Sequence, residues 1–496
     1  ANQQHARYNP VPYHIRAIGV DRFGGEYRQA FGLSYRIFGI PHYPPNARFA
    51  RTVLGEIEAQ SEGELLLTPQ NTAVLCSTPA LIAQYRALGF SVLPAEADTD
   101  FCAALGLPVA PPTPIQLIER LVTVGDSWAD DRHLRTHLAP ATYALWRDFP
   151  EAPQRILRLW RDPLLTDSGS LTETRNYSTY AYQMSNPAIL ELKYQDVRQT
   201  LVEGRIVDEG CADGALLVPI ARDFPDSDLI GIDITAEFLA RATERQRAGE
   251  YGGTFVHFFQ RNILQPIFEP QSLQTTLCNS TAHELWSYGH QAETLAQYLQ
   301  LKFEQTAPGG RIVLRDVVGV ETPDLPVRLY LPDTDGTNEA PLTAPVETLS
   351  SRARFLRFVQ DFLPQRGLAP IAYQTLTHNG KPYYQLRLKD AHEYLMHKDY
   401  TDNWASEMQE EFGFWSFTQW QRALEAAGFE VVLHPTLPER GSRVYANPWI
   451  IANRWEGQIE LLYETANGWV PLPWPVTTMV LVGQRAAKQY DYNDLG

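Results

Sequence analysis

The ten residues RIVDEGCADG at 205–214 constrain the fold more than any other part of the chain. A short run of strand-forming residues leads directly into a turn with Gly210, Ala212 and Gly214 at alternate positions. Small residues there let backbone amides approach a ligand closely, and the helix that follows directs the positive end of its dipole at an anionic group. A glycine-rich turn alone is a weak signal, so the residues around it decide its meaning.

Strands and helices alternate regularly after this turn. Strands are predicted at 205–208, 229–233, 255–259, 275–278, 311–315, 430–433 and 479–483, and helices at 215–222, 236–247, 291–306 and 417–427. Strands and helices that alternate at this spacing form a doubly wound, mostly parallel sheet. The sequence therefore predicts an α/β fold with a sheet of seven strands.

Asp233 ends the second predicted strand, about twenty residues after the turn. A carboxylate at that place accepts hydrogen bonds from both hydroxyls of a ribose, which predicts a nucleoside ligand. The alternative is that Asp233 only caps the helix at 236–247. A second alternative is a nicotinamide dinucleotide, and thus an oxidoreductase, because Gly210, Ala212 and Ala215 also fit a dinucleotide-binding turn.

From about residue 175 to residue 485, the sequence resembles the class I S-adenosylmethionine-dependent methyltransferases, which have a Rossmann-like sheet. The residues at 208–214 match the acidic and glycine-rich loop that surrounds the methionine part of the cofactor in that family. Asp233 matches the family's ribose carboxylate, and Asn262 stands where the family contacts the adenine. The segment APGG at 307–310 resembles the family's turn into its fifth strand.

The resemblance implies S-adenosylmethionine as the cofactor and a set of residues that hold it. These are Asp208, Gly210, Ala212, Gly214, Asp233, Ile234, Asn262, Ile263 and Asn279, with Tyr177 and Tyr180 from the segment before the first strand. Ala212 stands where the family usually has glycine, and Asn262 where it usually has aspartate. Both departures bear on how tightly the cofactor binds and leave the predicted fold unchanged.

The segment 279–289 follows the fourth predicted strand, and ligands of such folds bind beyond the carboxyl ends of the strands. Methyl transfer requires the protein to position the nucleophile, exclude water and accept a proton. We predict His283 as the base, with Glu284 and Tyr288 as further candidates. The alternative is that His283 only caps the helix that follows.

The chain is too long for one hydrophobic core, since single cores stop growing near about 250 to 300 residues. We predict an amino-terminal α/β accessory domain at 1–114 and a helical connector at 115–174. The methyltransferase domain is predicted at 175–320 and 416–496, with a substrate lid inserted at 321–415. Aromatic residues and a few polar groups in this insertion are typical of a small-molecule pocket.

Charge and composition limit the function classes. The formal net charge is -16, whereas proteins that bind long nucleic acids usually carry the opposite balance. No run approaches the roughly 20 apolar residues of a bilayer crossing. The four cysteines form no CxxC pair that would indicate zinc or a disulfide framework.

We therefore expect a cytoplasmic enzyme without a metal that methylates a small-molecule metabolite, and we consider a homodimer as its assembly. We expect it to bind neither long nucleic acid nor a membrane. The alternative is a methyltransferase scaffold that has lost its activity and acts as a binding or regulatory protein.

Overall fold

The structure is a computed structural model. It describes residues 10–11, 13–40, 47–96, 99–104, 106, 110–162, 187–365, 370–434 and 436–487. The chain divides into two compact units, unit 1 at residues 1–168 and unit 2 at residues 169–496. Among the described residues, we find no helix with the length and apolar character that a bilayer crossing requires.

Unit 1 is mainly helical where it is described. Its helices are α1 (Tyr13–Phe31), α2 (Phe49–Gln60), α3 (Pro79–Ala87), α4 (Thr99–Ala104), α5 (Pro114–Val124), α6 (Arg132–His137), α7 (Pro140–Asp148) and α8 (Glu151–Arg161). Strands β1 (Ala73–Leu75) and β2 (Ser91–Leu93) form a parallel pair. Helix α5 begins after Thr113, whose side chain accepts a hydrogen bond from the Gln116 amide. Residues of α1, α5, α7 and α8 pack together around the fully buried Leu121.

Unit 2 contains two sheets and the helices that cover them. Its described helices are α9 (Pro187–Val197), α10 (Leu217–Asp223), α11 (Ala236–Arg247), α12 (Ala282–Tyr288), α13 (Ala292–Gln305), α14 (Ser351–Gln365), α15 (Leu388–His397), α16 (Trp404–Glu407), α17 (Phe417–Ala426) and α18 (Pro448–Ile450). Its described strands are β3 (Arg205–Glu209), β4 (Asp228–Asp233), β5 (Val256–Gln260), β6 (Leu273–Asn279), β7 (Thr306–Val317), β8 (Pro326–Tyr330), β9 (Gln374–His378), β10 (Lys381–Arg387), β11 (Glu430–Val431), β12 (Arg443–Tyr445), β13 (Glu460–Thr465), β14 (Gly468–Pro471) and β15 (Thr478–Gln484).

The central sheet has the order β11-β15-β7-β6-β3-β4-β5, and β12 also pairs with β15. Strands β3 to β7 run parallel, whereas β15 is antiparallel to β7, β11 and β12. The prediction of an α/β fold is confirmed, with a mixed central sheet. The predicted count of seven strands was wrong, because the described residues form eight. Strand β11 covers only the last two residues of β15, so the three-residue β12 pairs with the rest of that edge.

The middle strands of this sheet are buried on both faces, as is usual for parallel strands covered by helices. Val207 and Ile230 face one apolar cluster, and their chain neighbours Ile206 and Leu229 face another. Side chains alternate between the faces of a strand, so these runs need apolar residues throughout. Because β3, β4, β6 and β7 run parallel, their carboxyl ends meet at one edge of the sheet.

A second, antiparallel sheet has the order β14-β13-β8-β10-β9. Strands β8 to β10 come from the predicted insertion, whereas β13 and β14 come from 460–471, outside it. Helices α14 and α15 pack on this sheet in a cluster that includes Phe355, Tyr394 and Trp455, each of them fully buried. The predicted domain boundaries remain predictions, but the insertion shares its sheet with a segment from further along the chain.

Candidate functional site

The turn after β3 is held in a conformation that suits small residues. Gly210 has φ 73°, and a Cβ there would lie 2.1 Å from Oγ1 of Thr281. Gly214 also has φ 73°, and its Cβ would lie 2.6 Å from the Tyr251 hydroxyl. Ala212, between them, has φ 46°, a left-handed conformation that costs an alanine about 1–2 kcal/mol. Close packing therefore requires the two glycines, whereas Ala212 is strained.

Asp233, at the end of β4, joins this turn to the next helix. Its Oδ2 accepts a hydrogen bond of 2.9 Å from the Ala212 amide, and its Oδ1 accepts one of 2.7 Å from the Thr235 amide. Burial raises the pKa of Asp233 to about 6, against these hydrogen bonds. Asp233 therefore both closes the turn and bonds the N-cap residue of α11, and its neighbour Ile234 is half-buried.

Asp208, near the end of β3, is almost completely buried. Burial raises its pKa to about 7, and the nearby Lys193 opposes this shift. Burial in turn lowers the pKa of Lys193, on α9, to about 8. Lys193 was missed in the sequence because it precedes the first strand and belongs to no recognised pattern.

The cofactor residues predicted after the third and fourth strands lie at or beyond the ends of β5 and β6. The Asn262 side-chain oxygen accepts a hydrogen bond of 2.9 Å from the amide two residues later, and Ile263 is buried in the core. Asn279 is the last residue of β6. Tyr177 and Tyr180 lie outside the residues that the structure describes.

His283, in the first turn of α12, is oriented by a carboxylate at the end of the neighbouring strand. Its Nδ1 lies 2.6 Å from Oδ1 of Asp316, in β7. The other oxygen of Asp316 accepts hydrogen bonds from the amides of Thr281 and Ala282, at 3.1 and 2.7 Å. Asp316 was not predicted as a site residue, although an acidic residue at the end of a buried strand was a signal.

A second carboxylate faces the other side of the His283 ring. Oε2 of Glu410 lies 3.5 Å from His283 Nε2, and the Tyr288 hydroxyl donates a hydrogen bond of 3.0 Å to Oε1. Burial would lower the pKa of His283, but Asp316 and Glu410 outweigh it and raise the pKa well above its usual value. Two of the three predicted catalytic residues, His283 and Tyr288, therefore contact the Glu410 carboxylate.

The segment that carries Glu410 is bonded to α12 and to α15. Trp286 Nε1 donates a hydrogen bond of 3.0 Å to Glu411, and the Glu411 amide donates one of 2.9 Å to Ser287. The Glu393 carboxylate accepts hydrogen bonds from the amides of residues 412 and 413, at 2.6 and 2.7 Å. These contacts fix Glu410 against His283.

Glu284, the third predicted catalytic residue, lies on the side of α12 toward the cofactor turn, since its charge raises the pKa of Asp233. Ligand atoms of His283, Glu284 and Glu410 lie within 4.8 Å of one another, a spacing that a metal ion could bridge. The expectation of an enzyme without a metal remains a prediction.

A cavity of about 780 Å³ opens beside this network. Its wall includes His283, Asp316 and Glu410, together with Lys193. Further along, its wall is formed by Asp399 and Glu407, the guanidinium-bearing Arg315 and Arg454, and the rings of Tyr400, Phe412 and Trp449. The arrangement combines an apolar and aromatic wall with a few buried polar groups, as small-molecule sites do.

The strand order of the central sheet and the glycine-rich turn at 208–214 both indicate the same protein family. Strand β3, the first of the central sheet along the chain, lies in the interior of that sheet. The last strand among the described residues, β15, lies antiparallel between β11 and β7. Residues 202–353 match the model of a family described as a methyltransferase domain. Unit 2 contains a class I S-adenosylmethionine-dependent methyltransferase domain. The cofactor of this methyltransferase domain is S-adenosylmethionine.

Several solved structures are similar to the methyltransferase domain and its surroundings. An S-adenosylmethionine-dependent methyltransferase from Methanosarcina mazei is 15% identical, with 59% of this chain and 97% of that chain covered and a TM-score of 0.30. One from Clostridium acetobutylicum is 9% identical, with 63% and 100% covered and a TM-score of 0.31. The [4+2]-cyclase SpnF is 13% identical, with 61% and 83% covered and a TM-score of 0.32.

These TM-scores are too low to support an inference about function, so the assignment rests on the matched residues 202–353 and on the strand order. None of the curated proteins compared matches the chain in sequence.

Proposed function

We propose that the methyltransferase domain transfers a methyl group to a small molecule bound in the 780 Å³ cavity. The observation that carries this proposal is the buried network of Asp316, His283 and Glu410, which forms part of the cavity wall. The cavity volume lies within the range of about 300–1,000 Å³ that is usual for small-molecule sites. A methyl acceptor bound in this cavity would lie beside buried groups that can take up its proton.

On the cofactor side, we propose that Asp233 binds the ribose. The carboxylate accepts hydrogen bonds from two backbone amides and from the Thr235 side chain, so it can still accept one from a ribose hydroxyl, which fits the cofactor. The other proposed cofactor residues are those predicted from the sequence, namely Asp208, Gly210, Ala212, Gly214, Ile234, Asn262, Ile263, Asn279, Tyr177 and Tyr180.

When bound, S-adenosylmethionine supplies a methyl group that is already activated on a positively charged sulfur. The residues of the chain have to orient the nucleophile and hold its proton. A raised pKa keeps His283 protonated at neutral pH, so we assign the proton-accepting role to Glu410. His283 and Tyr288 then position the Glu410 carboxylate from either side.

We propose that residues 321–415, together with β13 and β14, cover the acceptor. Supporting this, the cavity wall includes Asp399 and Phe412 from the insertion, and Ile450 and Arg454 from the segment before β13. Exclusion of water by such a cover favours methyl transfer over hydrolysis.

The second candidate function is that of a binding or regulatory protein on a methyltransferase scaffold. It is favoured by the strained Ala212 in the cofactor turn. Turnover decides between the two candidates, because a scaffold without activity transfers no methyl group.

The test has a binding arm and a turnover arm. Calorimetry with S-adenosylmethionine should show binding that Asp233→Asn weakens about tenfold to a hundredfold, as expected for losing a charged hydrogen-bond acceptor. Asp228→Asn, at the exposed opposite end of β4, is the matched control and should bind normally.

In the turnover arm, a metabolite extract and cofactor with a labelled methyl group are incubated with the protein. Glu410→Gln should reduce methyl transfer about a hundredfold or more, the usual contribution of a general base, without changing cofactor binding. The exposed Glu425→Gln is the control. No turnover in any extract would favour the scaffold, and no cofactor binding would contradict the proposed methyl transfer.

A further inference from the structure

Arg454 lies in the cavity wall on a short π-helical turn, Ile451–Trp455. Such turns are rare and are found frequently at functional sites. The next residue, Trp455, is fully buried in the core and anchors the turn. The Arg454 guanidinium lies over the rings of Tyr400 and Trp449, at 5.5 and 5.2 Å from their centroids. Two aromatic rings therefore hold the guanidinium beside the cavity.

Few donors of this guanidinium are used by the described protein oxygens, and its hydrogen-bond partner is the Tyr400 hydroxyl. Among the described residues, no carboxylate or carbonyl oxygen accepts a hydrogen bond from Arg454. The nearest carboxylate oxygen is Oδ2 of Asp399, which lies 3.7 Å from Arg454 Nε, beyond hydrogen-bond distance. The Tyr400 hydroxyl is its other polar neighbour, and the Arg454 charge opposes the rise that burial causes in the Tyr400 pKa. A guanidinium has five N–H donors, so most of them are available to a ligand.

The carboxylate nearest Arg454, that of Asp399, also contacts two other cations. Asp399 also faces Lys398 Nζ at 2.9 Å and Arg354 Nη1 at 3.8 Å. The Asp399 carboxylate is therefore shared by three cations, Lys398, Arg354 and Arg454. Glu407, whose charge acts on the Tyr400 pKa, is another carboxylate in the cavity wall. Because Asp399 is shared with two other cations, it only partly neutralises Arg454, which can still bind an anion.

A row of rings leads from Arg454 to the proposed proton acceptor. Tyr400 and Phe412 have their centroids 6.1 Å apart, and Phe412 and His283 theirs 5.1 Å apart. Both pairs meet edge to face, and Tyr400, Phe412 and His283 all line the cavity. A flat molecule can pack along such rings while its two ends meet different polar groups.

We propose that the methyl acceptor carries an oxyanion, a carboxylate or a phosphate, that binds Arg454 between Tyr400 and Trp449. The proposal rests on the proposed function of the cavity and adds the chemical class of its substrate. A guanidinium matches the planar fork of a carboxylate or two oxygens of a phosphate, and a lysine does not reproduce this geometry. The nucleophile of the acceptor would lie at the other end, near Glu410.

The experiment measures binding of small probes by calorimetry. The probes are benzoate, phenyl phosphate and the neutral benzamide. Arg454→Gln should weaken binding of the preferred anion about tenfold, and Arg454→Lys should weaken it less. Arg440→Gln, an exposed arginine outside the cavity wall, is the matched control and should leave binding unchanged.

Tighter binding of benzoate than of benzamide, lost in Arg454→Gln, supports the proposal, and the preference between benzoate and phenyl phosphate identifies the oxyanion. Equal binding of benzoate and benzamide, no anion binding, or an unchanged affinity in Arg454→Gln would overturn it. Cofactor calorimetry on the same variants keeps the two proposals separate. If the wild type binds benzoate through Arg454 but binds no S-adenosylmethionine, the methylation proposal fails and the anion site remains.

Discussion

At the scale of single residues, the protonation state of His283 decides how the candidate site works. Its ring is held between Asp316 and Glu410, and its pKa is raised well above the usual value. Because folding raises the pKa of His283, its protonated form stabilises the folded state. This stabilisation is complete below the pKa of the unfolded state, near 6.5, and it is lost as the pH rises through the pKa of the folded state. The imidazolium is therefore a stabilising charge at neutral pH as well as a positioning group.

We accordingly expect the wild type to lose stability above pH 6.5 relative to His283→Gln, by up to about 1.4 kcal/mol per pH unit until the folded pKa is passed. The measurement is urea unfolding of both proteins between pH 6 and pH 9.5. Lys193, whose burial lowers its pKa to about 8, also titrates in this window, so the prediction concerns the difference between the two proteins and not the slope of either curve. Parallel curves for the two proteins would show that His283 is neutral in the folded state.

Ala212 allows a second prediction at this scale. Its φ of 46° strains an alanine, whereas glycine adopts the same conformation without a steric penalty. After the greater chain entropy of glycine is counted, Ala212→Gly should still stabilise the protein by up to about 1 kcal/mol. Urea unfolding measures this change, and calorimetry should show S-adenosylmethionine binding that is equal or tighter.

Ala215→Gly is the control for this prediction, because Ala215 has no positive φ and should lose stability on replacement. A loss of stability in Ala212→Gly comparable to that in Ala215→Gly would mean that the turn is not strained at Ala212.

The sequence identified the residues of the glycine-rich turn because they lie within ten positions of one another. It also placed His283 and Tyr288 after the fourth strand, where helix α12 carries both. Glu410 was not predicted, because it lies 122 positions after Tyr288 and only the fold brings the two together. No local pattern distinguishes Glu410 from other acidic residues of the insertion.

At the scale of elements, the parallel strands were predictable because burial on both faces requires continuous apolar runs. The helix predicted at 236–247 coincides with α11, and strands β4 and β15 begin and end within one residue of their predictions. The segment APGG, predicted as a turn, lies instead inside β7, where Gly309 has φ 80° and the register with β6 shifts. The antiparallel sheet was not predicted, because β13 joins β8 from more than a hundred positions away.

A buried ion pair links β3 to α13, and it provides a prediction at this scale. Lys302 Nζ lies 2.5 Å from Oε1 of Glu209, both side chains are fully buried, and the Tyr298 hydroxyl donates a hydrogen bond of 2.7 Å to the same carboxylate. Removing one partner of a buried pair leaves an uncompensated charge, so Lys302→Met should cost about 3–5 kcal/mol of unfolding free energy.

Denaturant unfolding tests this value. The double variant Glu209→Gln with Lys302→Met should regain part of the loss, because it buries no unpaired charge. If the single and the double variant lose the same stability, the ion pair is not what Lys302 contributes, and packing of its side chain is the remaining cause.

At the scale of the whole molecule, the candidate function belongs to one of the two compact units. The proposed cofactor residues that are described, the acceptor cavity and the three largest apolar clusters of the described residues all lie within residues 187–487. A unit with its own core is able to fold alone. A fragment that begins at Gly169 should therefore unfold cooperatively and bind S-adenosylmethionine within about threefold of the affinity of the full chain, a difference below 1 kcal/mol. Calorimetry and circular dichroism measure both properties, with residues 1–168 as the fragment that should not bind. Loss of binding by a fragment whose circular dichroism is intact would show that unit 1 contributes to the cofactor site.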